Sequence, residues 1–467
     1  MARPIVMTKL FGTDGMRGEA GQFPLDGATV EIVGASLATR LKEKLGRAPT
    51  IVIGRDTRES GGWLEQALVA GATRAGAKSK SAGVITTPGV AFLARTLPAD
   101  AGIVISASHN AYRDNGVKIF AQSGRKLDED TERLIEADVF SDRKTRIFTA
   151  ASHSSRRVPP LAMHAVGNNE SELRSRYVDF LANEIGRGMS LKEIKVVIDC
   201  ANGAASGIAL ELFERLGANV TAINDHPDGR NINLGCGSLH MEGLQHEVLK
   251  QNADIGVAFD GDADRALFVD AKGRLINGDA SLWVLAAYLK ARHRLHDDIV
   301  VATVMSNIGL EVALKSLGLR LVRTDVGDKY VLEELLRLGA DLGGEQSGHI
   351  IFPKLSLAGD GLITTLCILR AMTEEGKALH VLTQGFQTFP QILVNVAVHV
   401  KQPLAEVAAI QRAAHNIEAE LGLRGRLLLR YSGTEPLARV MIEGENQDEI
   451  EKYASELASV IQKSLGA

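Results

Sequence analysis

The feature that most constrains the fold is a short pattern, Ala-Asp-x-Gly, which occurs three times, each time shortly before a polar loop. The three copies are Ala99–Gly102, Ala253–Gly256 and Ala340–Gly343. Counted from each aspartate, Ser108, Asp262 and His349 fall at the same offset. In open α/β sheets, ligands bind beyond the carboxyl ends of the strands. The repeat therefore predicts three similar domains, each of which directs one loop into a common cleft.

Predicted strands and helices alternate along most of the chain. A helix capped by Asp26 and ended by Gly46 precedes the strand Thr50–Gly54. The alternation restarts with the strand Lys195–Asp199 and again near Gly278. Alternation of this kind is typical of α/β layered domains. From about residue 378 the order becomes strand, helix, strand, strand and helix. The predicted fold class is therefore α/β, with three similar α/β domains that have mixed sheets, plus a smaller C-terminal α+β domain.

The domain boundaries follow from these changes of pattern. They divide the chain into residues 1–165, 166–275, 276–378 and 379–467. Residues from about 140 to 170 accumulate Ser, His, Arg and Asn without periodicity, and they include the pair Pro159 and Pro160. We expect a linker or surface excursion there.

Composition excludes several classes of function. The 467 residues carry a net charge of −4, only 4% are aromatic, and there is no strongly basic run, so neither a nucleic-acid nor a membrane surface is indicated. Cys200, Cys236 and Cys367 form no CxxC pair and are expected to be reduced thiols. The N-terminus is not signal-like and no stretch of about 18 apolar residues occurs, so we expect a soluble cytoplasmic protein.

The first polar loop offers a nucleophile. The run Gly102–Ile105 predicts a buried strand, and the polar segment Ser106–Asn110 follows it directly. A hydroxyl at a strand tip, such as Ser108 beside His109 and near Lys118, suits covalent chemistry. An ordinary turn is an equally good interpretation of this loop alone, since serine and asparagine favour turns.

The second polar loop is a candidate metal site. Asp260, Asp262 and Asp264 occupy alternate positions directly after a predicted strand. Three such carboxylates repel one another unless a cation lies among them, and oxygen ligands suit Mg²⁺ or Ca²⁺. An EF-hand is excluded because Arg265 stands where that loop needs glycine. A solvated acidic turn is the alternative. A hydroxyl nucleophile with a hard cation indicates phosphoryl transfer.

Two further loops suit a sugar and a phosphate. In the glycine-rich stretch before His349, Glu345 and Ser347 share a face if the segment is extended, and their oxygens suit sugar hydroxyl groups. In the last domain, the segment Arg430–Pro436 lies between two apolar strands, with Arg439 beyond it. Guanidinium groups, hydroxyls and exposed amides form a good monophosphate cradle. Taken singly, a glycine-rich turn and a solvated hairpin are the simpler interpretations.

Together and in order, these motifs resemble those of the α-D-phosphohexomutase superfamily over nearly the full length of the chain. They are FGTDGMRG (Phe11–Gly18), SASHN (Ser106–Asn110), DGDADR (Asp260–Arg265), GGEQSGH (Gly343–His349) and RYSGTEP (Arg430–Pro436). The first of them, with NINLGCGSLH at Asn231–His240 and TDVGDKYV at Thr324–Val331, favours the glucosamine branch more weakly. The resemblance implies four domains around a central cleft and a ping-pong mechanism through a phosphoenzyme.

The resemblance also implies roles for individual residues. Ser108 matches the serine that carries the phosphate and, with Asp260, Asp262 and Asp264, supplies the ligands of one Mg²⁺ per chain. The residues that match groups near the transferred phosphate, stabilising charge and transferring protons, are Arg17, His109 and Lys118. The expected substrate contacts are Arg265, Glu345, Ser347 and His349 around the sugar, and Arg430, Ser432, Gly433, Thr434 and Arg439 at the distal phosphate.

The implied reaction interconverts glucosamine 6-phosphate and glucosamine 1-phosphate through a 1,6-bisphosphate, which also acts as activator, and feeds amino-sugar nucleotide and cell-wall precursor synthesis. A small sugar phosphate is the expected partner, and a homodimer is expected because family members are often dimers. Ala111, Ala263 and Tyr431 stand where the family usually has Pro, Gly and Lys. The tyrosine removes a potential cation near the distal phosphate, which leaves the hexose preference open.

Three other activities stay open. A phosphomannomutase or phosphoglucomutase would use the same chemistry on another hexose. A Mg²⁺-dependent phosphosugar-binding regulator without turnover is disfavoured, because Ser108, Lys118 and all three loop aspartates are present. A simple phosphatase would release free phosphate and would need no bisphosphate priming.

Overall fold

The structure, a computed structural model, is described for residues 9–12, 14–150, 170–432 and 436–466, with only the backbone described for residues 143–150 and 423. Its elements fall into four groups, each built around one sheet. The first group is β1 Phe11–Gly12, β2 Gly15–Glu19, α1 Gly27–Leu45, β3 Thr50–Arg55, α2 Gly61–Arg74, β4 Lys78–Val84, α3 Thr87–Thr96, β5 Ala101–Ile105, β6 Asp114–Ala121 and α4 Glu129–Ala150. The second is α5 Glu170–Phe180, β7 Lys195–Asp199, α6 Ala209–Arg215, β8 Asn219–Ile223, α7 Glu242–Gln251, β9 Ile255–Phe259, β10 Ala266–Asp270 and β11 Leu275–Ile276.

The third and fourth groups complete the chain. The third is α8 Gly278–Ala291, β12 Ile299–Thr303, α9 Ile308–Ser316, β13 Arg320–Thr324, α10 Asp328–Leu338, β14 Gly343–Gly344, β15 Ile350–Ile351, α11 Gly361–Glu375 and α12 Leu379–Leu382. The fourth is β16 Gln391–Ala397, α13 Ala408–Leu421, β17 Gly425–Tyr431, β18 Leu437–Gly444 and α14 Gln447–Leu465. The predicted cap Asp26 begins α1 by accepting a hydrogen bond from the Thr29 N–H, and Gly46 ends the helix in the left-handed conformation.

The first three sheets share one arrangement of strands. Their orders are β1-β2-β6-β5-β3-β4, β11-β10-β9-β7-β8 and β13-β12-β14-β15. In each sheet a central strand (β5, β9 or β14) runs parallel to one neighbour and antiparallel to the hairpin strand that follows it. The prediction of three similar α/β domains with mixed sheets is therefore confirmed.

The repeat aspartates have the same structural role in all three domains. Asp100 accepts a hydrogen bond from the Thr50 N–H at 2.8 Å, and Asp254 accepts one from the Lys195 N–H at 2.8 Å. Asp341 accepts one from the His296 N–H, also at 2.8 Å. Each carboxylate lies just before the central strand and accepts a hydrogen bond from the backbone at or just before the start of the neighbouring parallel strand. This shared hydrogen bond explains why the aspartate recurs in all three domains.

The sheets of the first three domains are covered on both faces. In the first sheet, Ile51 and Ile103 face one apolar cluster, whereas Val52 and Val104 face another. The second of these clusters continues through residues of the second and third domains, including Tyr177 and Leu366. The C-terminal domain, with the antiparallel order β16-β18-β17, has an apolar cluster of its own.

The segment near residues 140–170 differs in part from expectation. Helix α4 continues to Ala150, so the first part of the predicted linker is wrong. The acidic first turn of α4, which contains Glu129, Asp130 and Glu132, favours a helix from its N-terminus onward, and periodicity need not persist on a polar helix. Residues 151–169, including Pro159, Pro160 and the predicted boundary at 165, lie outside the described residues.

Two further expectations can be compared with the structure. Cys200, Cys236 and Cys367 are free thiols, and burial raises the pKa of both Cys236 and Cys367 to about 12. Within the described part of the chain, we find no helix that is both long and apolar enough to cross a membrane.

Candidate active site

The Ser108 loop follows β5 directly and adopts an unusual backbone conformation. Ser108 is buried, and its φ of 53° lies in the left-handed region that few residues other than glycine adopt. The Ser106 hydroxyl accepts a hydrogen bond from the Ser108 N–H at 2.9 Å and donates one to Asp56 at 2.6 Å. Such a conformation persists only where surrounding contacts enforce it. The serine is thereby presented at the tip of the strand in a defined direction.

The aspartates of the second loop follow β9 and converge on one point. One carboxylate oxygen from each of Asp260, Asp262 and Asp264 lies within 4.8 Å of the others, and all three residues are buried. Ala263 between them has φ of 55°, a conformation that glycine adopts more readily. The Ser108 hydroxyl donates a hydrogen bond to Asp260 at 2.5 Å. The first and second loops therefore meet across a domain boundary.

The electrostatics of this aspartate cluster fit a cation. Burial, followed by the charges of Asp264 and Asp262, raises the pKa of Asp260 well above its ordinary value of 3.8. The Oδ1 atom of Asp262 is buried and has no hydrogen-bond partner among the described residues. Buried polar atoms normally have partners, and hard divalent cations take oxygen ligands. The cluster can therefore hold a metal ion of this class.

Lys118, on β6, is the buried cation beside the cluster. Its ammonium nitrogen lies 2.9 Å from Asp262, 3.3 Å from Asp264 and 3.0 Å from Asp14. Burial lowers the pKa of Lys118, but the three carboxylates raise it more, so it lies well above the ordinary value of 10.5. Lys118 is therefore charged at neutral pH. Asp14 is absent from the predicted site residues, although it lies within the FGTDGMRG motif.

Arg17 and His109 lie beside the serine. The Arg17 guanidinium pairs with Asp14 and donates a hydrogen bond to the Ala107 carbonyl oxygen at 3.3 Å. Nδ1 of His109 lies 3.2 Å from the Ser108 hydroxyl oxygen. Burial, with the positive charges of Arg265 and Arg17, lowers the pKa of His109 to about 4. The ring is therefore neutral at pH 7 and can accept a proton.

The third domain contributes a charged histidine and a carboxylate. His349 is buried, with Nδ1 3.6 Å from Asp264 and Nε2 3.8 Å from Asp328. Burial lowers the pKa of His349, but Asp264 and Asp328 raise it more, to about 9. Asp328 also pairs with Lys126 at 2.7 Å, and Lys126 pairs with Asp14 at 2.7 Å. Lys126 thus connects the first and third domains beside the cleft.

Neither Lys126 nor Asp328 is among the predicted site residues. Asp328 lies in TDVGDKYV, a segment that favours the glucosamine branch of the superfamily but does not by itself indicate a site residue. Lys126 belongs to none of the motifs. An aspartate directly after Gly327 was a signal that could have been used, whereas nothing local to Lys126 marks it.

The third loop is not extended, contrary to the condition on which Glu345 and Ser347 were expected to share a face. The strand ends at Gly344, and the Gly348 N–H donates a hydrogen bond to the Glu345 carbonyl oxygen at 3.0 Å, which closes a tight turn. Gly348 supports this turn with φ of 90°. Glu345 Oε1 accepts a hydrogen bond from the Gly327 N–H at 3.2 Å. The Ser347 hydroxyl is buried and has no partner among the described residues.

A cavity of about 520 Å³ opens over these groups. All three repeat domains contribute to its wall, with Asp14, Arg17 and His109 from the first, Asp264 and Arg265 from the second, and Asp328, Glu345 and His349 from the third. The three loops predicted from the repeat therefore do face one cleft. Burial lowers the pKa of Arg265, but Asp260 and Asp264 raise it more, so this guanidinium is charged.

The candidate residues of the C-terminal domain lie elsewhere. Arg430 and Arg439 are paired across β17 and β18, and an Arg430 nitrogen lies 3.9 Å from the sulfur of Met305 in the third domain. Ser432 is buried, and its carbonyl oxygen accepts a hydrogen bond from the Lys401 ammonium at 2.6 Å. These residues are not among those that line the 520 Å³ cavity. Gly433 and Thr434 lie outside the described residues.

Models of the four domains of one family match this chain in order. Phosphoglucomutase/phosphomannomutase alpha/beta/alpha domain I matches residues 8–146, domain II residues 175–273, domain III residues 277–389, and the C-terminal domain residues 393–460. The matched segments cover most strands of all four sheets, although β11 lies between the second and third matches.

Relatives that are similar along their whole length share one name. A phosphoglucosamine mutase of Solibacter usitatus is 47% identical over 457 residues, which cover 98% of this chain and 99% of the relative. A phosphoglucosamine mutase of Caldicellulosiruptor saccharolyticus is 47% identical over 464 residues, which cover 98% of this chain and 100% of the relative.

Solved structures share the fold at lower sequence identity. A phosphoglucomutase/phosphomannomutase family protein from Burkholderia thailandensis has a TM-score of 0.75 at 22% identity, with 97% of both chains covered. An N-acetylphosphoglucosamine mutase from Aspergillus fumigatus, solved with GlcNAc-6P and magnesium, has a TM-score of 0.62 at 20% identity, with 99% of this chain and 97% of that chain covered. With all four domain models matched in order and relatives at 47% identity, the chain belongs to the phosphoglucomutase/phosphomannomutase family.

Proposed function

We propose that this protein is a phosphohexomutase that interconverts glucosamine 6-phosphate and glucosamine 1-phosphate. The observation that carries the chemistry is the hydrogen bond from the Ser108 hydroxyl to Asp260, which joins a nucleophile to a cluster of metal-binding character. The choice of glucosamine is supported by the full-length relatives, which are named phosphoglucosamine mutases.

The metal in this proposal is Mg²⁺, held by Asp260, Asp262 and Asp264 with an oxygen on Ser108. The unpartnered oxygen of Asp262 supports a cation at this point. Bound there, the ion would supply charge neutralisation for a transferred phosphoryl group. Lys118 and Arg17 add positive charge from the protein itself, and their contacts with Asp14 hold them beside the serine.

The reaction starts from Ser108 carrying a phosphoryl group. The O1 hydroxyl of glucosamine 6-phosphate attacks phosphorus, a P–O1 bond forms, and the bond from phosphorus to the serine oxygen breaks. His109, neutral at pH 7 and beside the serine oxygen, accepts the O1 proton and returns it to Ser108. The product of this half-reaction is the 1,6-bisphosphate, which also serves as activator.

The second half-reaction restores the enzyme. The bisphosphate turns around in the cleft, the Ser108 oxygen attacks the 6-phosphoryl group, and the P–O6 bond breaks. The serine proton passes to O6 through His109, and glucosamine 1-phosphate is released. Glu345, Ser347, Arg265 and His349 are proposed to contact the sugar in both orientations. Arg430, Ser432, Gly433, Thr434 and Arg439 are proposed to bind the phosphate that is not transferred, which requires the C-terminal domain to meet the cleft.

The test follows purified protein with Mg²⁺ and a trace of hexose 1,6-bisphosphate by ³¹P NMR. Glucosamine 6-phosphate, glucose 6-phosphate and mannose 6-phosphate are supplied in parallel, and fast conversion of glucosamine 6-phosphate alone is expected. A preference for glucose or mannose phosphate would overturn the substrate and keep the mechanism. Release of inorganic phosphate without isomerisation would indicate a phosphatase.

A variant tests the nucleophile. Ser108→Ala should lower mutase turnover by at least about 10⁴-fold, because loss of a covalent nucleophile removes the whole reaction path. Binding of the sugar phosphate, measured by calorimetry, should persist. Ser455→Ala, at an exposed position on α14, is the matched control and should keep wild-type turnover. Unchanged turnover in Ser108→Ala would refute the covalent mechanism.

A further inference from the structure

One side chain of the segment NINLGCGSLH, Asn231–His240, touches the backbone of the serine loop. Nδ2 of Asn233 donates a hydrogen bond to the Ser108 carbonyl oxygen at 2.9 Å and one to the Asn110 carbonyl oxygen at 3.0 Å. Asn233 belongs to the second domain, whereas both carbonyl groups belong to the first. The contact therefore crosses the boundary that separates the serine from the aspartate cluster.

The same two carbonyl oxygens are held from within the first domain. Nη2 of Arg58, a fully buried side chain, donates to the Ser108 and Asn110 carbonyl oxygens, each at 2.9 Å. Arg58 is itself fixed by Asp56 at 3.0 Å. A carbonyl oxygen has two lone pairs and can accept both donors. The peptide that follows Ser108 is thus held by one donor from each domain.

The position of Asn233 is well determined. Its own φ is 57°, a left-handed conformation that asparagine tolerates, and its N–H donates to the Ala201 carbonyl oxygen at 2.9 Å. Gly261 of the aspartate loop packs against the contact, since a Cβ there would lie 2.5 Å from the Ser108 carbonyl oxygen and 3.0 Å from Nδ2 of Asn233. The amide therefore sits where the serine loop and the aspartate loop touch.

We infer that Asn233 is a positioning residue for phosphoryl transfer, which fixes the Ser108 loop of the first domain against the aspartate cluster of the second. Holding the Ser108 carbonyl holds the backbone from which Cβ projects, and the hydrogen bond to Asp260 then directs the hydroxyl oxygen. Without the amide, Arg58 still holds the loop backbone within its domain and the Ser108 hydroxyl still reaches Asp260, but the hydrogen bonds from the second domain to the loop backbone are lost. Small errors in the placement of reacting groups lower rates by up to about 10²-fold.

This inference rests on the proposed function for its kinetic readout, so the experiment includes a structural readout as well. Asn233→Gly removes the amide and keeps the freedom to adopt a positive φ. The kcat for glucosamine 6-phosphate should fall about 10- to 100-fold, with KM within about twofold, since Asn233 does not line the cleft cavity. In parallel, hydrogen exchange at the amides of residues 108–111 should accelerate at least about tenfold.

Arg230→Ala is the matched control. Arg230 directly precedes this segment and pairs with Glu59 across the same boundary at 2.7 Å, and its hydrogen bonds among the described residues go to Glu59 and Asp228, not to the serine loop. Turnover and exchange in Arg230→Ala should stay within about twofold of wild type, since exposed ion pairs contribute little. Equal losses in Arg230→Ala and Asn233→Gly would overturn the inference, because they would indicate a general weakening of the boundary.

Asn233→Asp is the second variant, for the case in which the glycine variant folds poorly. It has the same size but places a carboxylate oxygen against two carbonyl oxygens, so its loss of kcat should be at least as large. Wild-type kcat and wild-type exchange in either folded variant would overturn the inference. Absence of turnover in the wild-type protein would refute the proposed function instead, and the exchange measurement would still decide the role of Asn233.

Discussion

The first three domains and the C-terminal domain are joined to the rest of the molecule in different ways. One apolar cluster runs through the first three domains, from Leu93 through Tyr177 to Leu366. The C-terminal domain has a separate cluster, which includes Ile410 and Leu457. Opening an apolar boundary exposes apolar side chains to water, which is unfavourable. Opening a polar boundary replaces hydrogen bonds within the protein by hydrogen bonds to water, which costs less free energy. The proposed catalytic centre, whose serine and aspartates come from different domains, lies in the part that resists opening.

The joint between the third and fourth domains is polar and buried. Glu443 of β18 accepts hydrogen bonds from the Ile308 N–H at 3.1 Å, at the start of α9, and from Nδ2 of Asn307 at 3.3 Å. Arg426 donates to the same carboxylate at 3.0 Å. Asn307 also holds both backbone groups of Phe389, in the connection between the domains, at 2.9 and 3.0 Å. The first three domains thus form one body that holds the proposed catalytic centre, and this hydrogen-bonded joint attaches to it the C-terminal domain, which is proposed to bind phosphate.

The largest expected effect comes from breaking the shared apolar core. Tyr177 is buried, its ring centre lies 5.7 Å from that of Phe92 in the first domain, and its hydroxyl donates to Asp360 in the third domain at 2.7 Å. Tyr177→Ala should lower the free energy of unfolding by about 3–5 kcal/mol through cavity formation and loss of the partner of Asp360. The free energy of unfolding is measured by denaturant titration, with tryptophan fluorescence as the signal.

Tryptophan fluorescence reports on the first and third domains together, and Tyr177→Phe is the control for Tyr177→Ala. The two tryptophans, Trp63 and Trp283, lie in the first and third domains, so they should report one shared transition. Tyr177→Phe removes only the hydroxyl and should lower the free energy of unfolding by about 1–2 kcal/mol. Separate transitions for the two tryptophans in the wild-type protein would contradict a single three-domain body.

A smaller and more local effect is expected at the polar joint. Glu443→Ala leaves Arg426, the Ile308 N–H and the Asn307 amide without their acceptor and should weaken the docking of the C-terminal domain by about 2–3 kcal/mol. Hydrogen exchange should accelerate in the connection at residues 385–390 and at the start of α9. The tryptophan transition should change by less than about 1 kcal/mol. Glu443→Gln keeps one acceptor oxygen and should give an intermediate result. A large loss of fluorescence-detected stability in Glu443→Ala would show that the first three domains and the C-terminal domain unfold as one cooperative unit.

The smallest effect concerns the pH dependence of the joint. Asp279 is buried and accepts a hydrogen bond from the Asn307 N–H at 2.8 Å, and burial raises the pKa of its carboxyl from 3.8 to about 6. A raised carboxyl pKa means that folding favours the protonated form. The stability that the protonated Asp279 carboxyl contributes is therefore fully present below about pH 3.8 and is lost as pH rises through about 6.

Asp279→Asn should remove this dependence. Between pH 5 and pH 8 the variant should gain about 1–2 kcal/mol relative to the wild-type protein, measured by denaturant unfolding at both pH values. Asp279→Ala also loses the acceptor for Asn307 and should be less stable than Asp279→Asn throughout. Parallel pH profiles for the wild-type protein and Asp279→Asn would be inconsistent with a buried carboxyl that titrates near pH 6.

Local patterns in the sequence determined the repeated strands, the tip position of Ser108 and the clustering of Asp260, Asp262 and Asp264. These features depend on neighbours within a few positions: a β-branched strand, a break into polar residues, and alternate carboxylates. The aspartate of each Ala-Asp-x-Gly copy is an example, because it bonds the chain that enters the adjacent parallel strand in every domain. A repeated local role leaves a repeated local signature.

Only the tertiary structure decided how the domains meet. Lys126 pairs with Asp14 and Asp328, and Asn233 bonds the Ser108 loop, although these partners lie far apart in the chain. Such contacts depend on the relative orientation of domains, which apolar packing sets and no short motif encodes. The placement of Arg430 outside the cleft cavity has the same origin. Sequence motifs indicated the groups that are proposed to carry the chemistry, and the packing of the domains determined which groups hold them in place.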